Sequence, residues 1–173
     1  MSEGYKLAPQ SNYQAALESF KNAEKIFVRA ENLGEKNIAS YWIAFCLTDK
    51  SNLNKSLINL QTLDNQAKIK NYKWFRGVVL SRIGDVLYKQ NETFKALSYA
   101  KESFTISQSI SDTLYQQRNA NDITLFYLES GELNKTFFYL SKLLQLDSLF
   151  YQSSLQNLRN VYRYSDAAKQ MEF

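Results

Sequence analysis

A spacing of 40 residues recurs through this chain, and no other feature restricts its fold so tightly. Three segments share the frame: Ser51-Asn52-Leu53-Asn54-Lys55-Ser56, Asn91-Glu92-Thr93-Phe94-Lys95-Ala96 and Gly131-Glu132-Leu133-Asn134-Lys135-Thr136. A fourth, Ser11-Asn12-Tyr13-Gln14-Ala15-Ala16, lies one period earlier. Each is a polar turn that leads into an amphipathic helical run. A fixed period of this size marks a stacked helical repeat, in which neighbouring units cover each other's apolar faces. One proline and five glycines among 173 residues agree with long helices and argue against a turn-rich β fold.

Numbering each unit from Asn37, Gly77 and Gln117 places the apolar or small residues at positions 4, 7, 8 and 11. They are Ser40, Ile43, Ala44 and Leu47, then Leu80, Ile83, Gly84 and Leu87, then Ala120, Ile123, Thr124 and Tyr127. That spacing is one stripe of an α-helix. The small residue at position 8 lets a second helix approach closely. A break follows at position 15 (Ser51, Asn91, Gly131), where a left-handed C-cap suits Gly or Asn. A second helix carries a small residue at position 20 (Ser56, Ala96, Thr136), then Leu60, Ala100 and Leu140, then Leu63, Ser103 and Leu143. Upstream, Tyr13, Ala16, Phe20 and Ala23 supply the same second helix without a first one.

These residues resemble the tetratricopeptide repeat: Leu80-x-x-Ile83-Gly84-x-x-Leu87 followed by Ala96 is the best unit, and Tyr127-x-x-x-Gly131 belongs to the third. The likeness covers roughly residues 11 to 147. It departs from the family pattern at Thr124, which stands where the repeat has Gly, and in lacking the proline that closes each unit. The resemblance implies an all-α fold, a right-handed superhelical solenoid of antiparallel helix pairs. The expected organisation is a tail at 1–10, a half unit at 11–33, and full units at about 37–70, 77–110 and 117–147. A C-terminal helix then occupies 148–173. The period exceeds the family's usual length, so helices about one turn longer are expected. The run Asp147-Ser148-Leu149-Phe150 is similar to the junction that closes the repeats of bacterial sensor histidine kinases and helix-turn-helix regulators. Leu155, Leu158, Val161 and Tyr162 would line one side of the helix after it, and the uncapped end at Met171-Glu172-Phe173 suits an excised piece.

The chemical inventory points away from catalysis. Histidine is absent, which removes the commonest general base and metal ligand. Cys46 is the one cysteine, flanked by Phe45 and Leu47, and reads as a small packed hydrophobe. Gly77 and Gly84 sit inside helical patterns and form no phosphate loop. Carboxylate pairs such as Glu31 and Glu35, or Asp112 and Asp122, fit helix surfaces and caps. No cofactor and no metal are expected. The start, Met1-Ser2-Glu3-Gly4-Tyr5, lacks the basic and apolar regions of a signal peptide, and no run of about 18 apolar residues spans a membrane. The compartment stays open: cytoplasmic, or periplasmic if the chain serves a membrane sensor. Lys68, Lys70, Lys73, Arg76 and Arg82 interleave with Tyr72, Trp74 and Phe75. Mixing of this kind can bind nucleic acid. We read the lysines as a solvated face, the aromatics as a helix entering its packing face, and expect no nucleic-acid partner.

Binding has the better geometric case. Residues advance about 100° along a helix, so positions 2, 5, 9 and 12 face roughly 140° away from the packing stripe. In a tetratricopeptide array that face lines the inner groove. It holds Ile38, Tyr41, Phe45 and Thr48, then Val78, Ser81, Asp85 and Tyr88, then Arg118, Asn121, Leu125 and Leu128, with Trp42, Arg82 and Asp122 at its edge. Aromatics beside an arginine are common in peptide-binding hot spots. The other reading has Tyr41, Trp42 and Phe45 packing against the preceding half unit. The Lys and Asn by which some family members clamp a carboxyl terminus are missing from positions 5 and 9. The expected function is a non-enzymatic protein- or peptide-binding module in a bacterial signalling protein. The alternative is a cytoplasmic transcriptional regulator domain that receives a small signalling peptide. Exposed apolar surface at an uncapped end also predicts a homodimer through a terminal helix.

Overall fold

The structure, a computed structural model, describes residues 13–48 and 52–171, with side chains at 13–48, 52–149, 151, 152 and 156. The described residues form helices α1 (Tyr13–Arg29), α2 (Leu33–Cys46), α3 (Leu53–Ile69), α4 (Lys73–Lys89), α5 (Thr93–Ser109), α6 (Thr113–Glu129) and α7 (Leu133–Met171). Each packs on the next along the chain, and α4 also touches α6. The result is an array of antiparallel pairs with α2, α4 and α6 as first helices. Ser51 and the tail at 1–10 lie outside the described residues, as do the side chains of Leu155, Leu158, Val161 and Tyr162.

The turns carry the period. Glu31, Asn71, Asn91, Ser111 and Gly131 all adopt positive φ, between 53° and 72°. Four of these five stand at 20-residue steps, because one left-handed residue ends each helix and reverses the chain. The amide just beyond each closes a six-residue loop: Asn32 to Phe27, Tyr72 to Ala67, Glu92 to Leu87, Asp112 to Ser107 and Glu132 to Tyr127. Asn91 and Gly131 are therefore the caps expected at position 15. The other turn of each unit uses Glu31, Asn71 and Ser111, of which only Asn is a residue that favours the conformation. Caps at the opposite end also recur: Asn32 Oδ1, an amide oxygen, and Asp112 Oδ1, a carboxylate oxygen, accept from the backbone amides of Glu35 and Tyr115.

Packing follows the small positions. Ala16, Ser56 and Ala96, all at position 20, are fully buried. Ser56 Oγ donates to the Ala44 carbonyl at 2.7 Å, binding α3 to α2. A Cβ on Gly84 would stand 3.4 Å from the Ala96 carbonyl oxygen, so glycine sits where two helix backbones meet. Leu60, Val79, Leu80, Ile83, Val86 and Ile123 build the main core, while Ala16, Leu17, Phe20, Ile43 and Cys46 form a second cluster under α1. Burial pushes the Cys46 thiol up to about 11, which makes it a poor nucleophile at neutral pH. A buried polar link joins the second and third units: Asn119 Nδ2 donates to Ser103 Oγ, which donates to the Gly77 carbonyl.

α7 runs unbroken through Asp147 and Ser148, so the second helix of the third unit continues directly into the expected C-terminal helix. No glycine or proline interrupts that stretch, and Gln117 Nε2 donates to Asp147 Oδ1 at 2.9 Å, which ties α6 to this part of α7. Tyr72 and Trp74 do not enter the packing face but stay more than half exposed, at 54% and 55%. They stand at the start of α4, and their exposure corrects the expectation that they enter its packing face. Phe75 does pack inward, 6.4 Å from Tyr41 by ring centroids. Arg76 joins α4 to both neighbours, pairing with Asp64 of α3 at 2.9 Å and with Glu102 of α5. Among the described residues no helix is long and apolar enough to cross a membrane.

Candidate functional site

The first helices α2, α4 and α6 bring charged and aromatic side chains together on one face. At its centre Asp85 Oδ2 takes two arginines, Arg82 Nη1 at 2.9 Å from its own helix and Arg118 Nη2 at 2.6 Å from α6. Arg82 lies over the Phe45 ring, 4.4 Å from the centroid, so a cation–π contact continues the chain of contacts onto α2. The Nε atoms of Arg82 and Arg118 are buried without a hydrogen-bond partner, as is Ser81 Oγ. Unmet donors of this kind are uncommon in settled cores.

Asp122 completes the cluster, one helical turn beyond Arg118. Burial pushes its carboxyl up to about 6, and the nearby Asp85 charge adds to the rise, while Arg118, a side-chain hydrogen bond from Asn121 and Arg82 oppose it. It makes no salt bridge among the described residues. For Arg118 burial favours loss of the proton, yet Asp85 and Asp122 hold its affinity for that proton above the usual arginine range. Tyr115, which sequence reasoning missed, is half-buried beside this group, and burial raises its phenol to about 12, with Tyr41 adding to the effect. A signal for it existed: Phe75, one period earlier, also sits two residues before the frame begins.

The remaining expected residues divide by burial. Tyr41 and Ser81 are 8% and 3% exposed and belong to the core. Trp42 stacks on Phe20 of α1 at 5.7 Å, and Phe45 meets Tyr13 at 6.1 Å, so these rings join the half unit to α2. Asn121 and Leu125 are exposed on α6, as is Leu128. Tyr88 lies further along, its hydroxyl donating to Glu129 and its ring 5.0 Å from Phe126. Of the expected residues, the structure brings together Phe45, Arg82, Asp85, Arg118 and Asp122, with Asn121 and Leu125 exposed nearby on α6. No group of His, Cys, Asp and Glu among the described residues is arranged to hold a metal ion.

No family model and no curated protein matches the chain by sequence. Solved structures do match by fold. A Rap protein, in a crystal structure complexed with competence and sporulation factor, superposes with a TM-score of 0.68 at 14% identity. The match covers 84% of this chain and 52% of that one, so the chain spans about half the length of that protein. At such low identity the likeness speaks for the fold. The chain is a tetratricopeptide-like helical repeat, a right-handed superhelical solenoid of antiparallel pairs.

Proposed function

We propose that this repeat array is a non-enzymatic binding module whose first-helix face receives a protein or peptide. One observation carries the reading: Asp122 lies half-buried near Asp85 and makes no ion pair among the described residues, and burial pushes its carboxyl up. Polar groups kept at an energetic loss mark places where local rules yield to function. The two unpartnered arginine Nε donors lie on the same face and support it. A ligand could satisfy these groups while its apolar parts rest on Leu125, Leu128 and Phe45.

The finer setting is a bacterial signalling or regulatory protein. The Asp147-Ser148-Leu149-Phe150 run, similar to the junction in sensor histidine kinases and in helix-turn-helix regulators, fits the sensory or scaffolding part of such a protein. The fold shared with a Rap protein solved with competence and sporulation factor favours the alternative, a regulator domain that receives a small peptide. Selection of binders from a random peptide library on the intact chain tests the common claim. Arg118→Ala and Asn121→Ala should each weaken the selected peptides by about 1–2 kcal/mol, above most interface residues and just below a hot-spot loss. Binders indifferent to both substitutions would remove the face from consideration. Tyr41 is too buried to serve as a clean probe.

Self-association is a separate part of the proposal. Phe137, Phe138, Leu144 and Leu149 are exposed along α7, between 54% and 65%, and a second copy packed there would cover them. Sedimentation should show a mass that rises with concentration and falls back towards the monomer in Phe137→Ser. A monomer at every concentration would contradict it.

A further inference from the structure

Between the start of its first helix and the end of its second, the first unit leaves a wider space than the second, where the equivalent cavity, lined by Lys73, Arg76, Ile106 and Ser109, is about 170 Å³. In the second unit Ile106 packs over Gly77, its Cγ2 only 3.4 Å from where a Cβ on Gly77 would stand. In the third, Leu146 packs against the core beside the Gln117–Asp147 hydrogen bond. The matching pair one period earlier is Asn37 and Gln66, both polar. Here a cavity of about 300 Å³ opens between the start of α2 and the end of α3. That volume is at the lower bound of small-ligand sites, which run to about 1,000 Å³. Its walls are largely apolar, from Leu33, Ile69 and Tyr72, with Lys36 and Lys70 at the sides and no carboxylate among the lining residues. Neither lysine forms an ion pair among the described residues. Lys36 and Gln66 also line a second cavity of about 230 Å³, whose polar walls include Asn59, Thr62 and the Glu24 carboxylate, which accepts from Ser40 Oγ. The two spaces adjoin at Lys36 and Gln66, the larger lined mainly by apolar surface and the smaller mainly by polar surface.

We propose that the larger cavity is a binding site for a small apolar carboxylate, with its hydrocarbon or aromatic body among Leu33, Ile69 and Tyr72 and its charge between Lys36 and Lys70. The site is remote in sequence from the charged cluster around Asp85, shares no residue with it, and stands or falls independently of that reading. Such a carboxylate has two sources, a free organic acid or the C-terminus of a peptide with an apolar last residue. Calorimetric titration of the intact chain with decanoate, and with a short peptide ending in leucine as free acid or amide, separates them. One acid should bind with a dissociation constant below about 1 mM. The uncharged counterpart, decanol or the amide, should bind at least about tenfold more weakly, because charge-assisted pairing is lost. The double variant Lys36→Gln, Lys70→Gln should reduce binding by the same factor, and Ile69→Ser should also weaken it. Ile69 is 81% exposed, so its replacement leaves folding intact. Arg118→Ala should leave this binding unchanged. Failure of both acids to saturate the chain, or equal binding by the double lysine variant, overturns the proposal.

Discussion

Phe20→Ala should detach α1 from the array while the later units stay folded. Phe20 is fully buried at position 24 of the half unit and stacks on Trp42. Its cluster of Ala16, Leu17, Ile43 and Cys46 is distinct from the main core. Truncating a buried phenylalanine costs about 3–5 kcal/mol. In a solenoid each unit is held by its neighbours alone, so that loss stays local. Hydrogen exchange should show protection lost across residues 13–29 and weakened in α2, with α4 to α6 close to wild type. An even loss of protection along the whole chain would show instead that the array folds as one cooperative block.

Asp122→Asn should stabilise the protein at neutral pH, and the gain should vanish in acid. The Asp122 carboxyl stands at about 6 in the folded chain against 3.8 in the free side chain, so the native state binds its proton more tightly than the unfolded one. Wild-type stability from this group is therefore greatest below about 3.8 and declines as pH rises through 6. Asparagine keeps the shape without the charge and removes that decline. We expect a gain of about 1–2 kcal/mol at pH 7.5 after allowing for solvent screening, shrinking to nothing near pH 4. Denaturant melts of both proteins across this range check it. An asparagine variant less stable than wild type at pH 7.5 would mean that Arg118 and Asn121 outweigh burial, and the carboxylate would then be a settled structural group.

The fold was legible in the sequence because its signal is periodic. Ile43, Ile83 and Ile123 recur at one position, and Asn91 and Gly131 announce the left-handed turns between the two helices of the second and third units. The companion turns at Glu31, Asn71 and Ser111 were harder to see, since two of the three use residues with no preference for that conformation. The stretch from Asp147 to Phe150 carries no glycine or proline, so nothing in it interrupts α7. The site was legible only in outline. Helical arithmetic puts Tyr41 and Ser81 on the open face, as it treats one helix alone. In the array each middle helix is covered by its partner and by both flanking units, and position 5 goes under. The Arg118–Asp85 pair spans 33 residues, and an ion pair between separate helices leaves no local trace in the sequence.

The most direct test of the binding account is a residue-by-residue footprint of a library-selected peptide on the labelled chain by nuclear magnetic resonance. The account predicts the largest amide shifts on α4 and α6, centred on Arg82, Asp85, Arg118, Asn121 and Asp122, with Phe45 on α2 at the margin. Shifts confined to α3, α5 and α7, with the Asp85 cluster undisturbed, would contradict it.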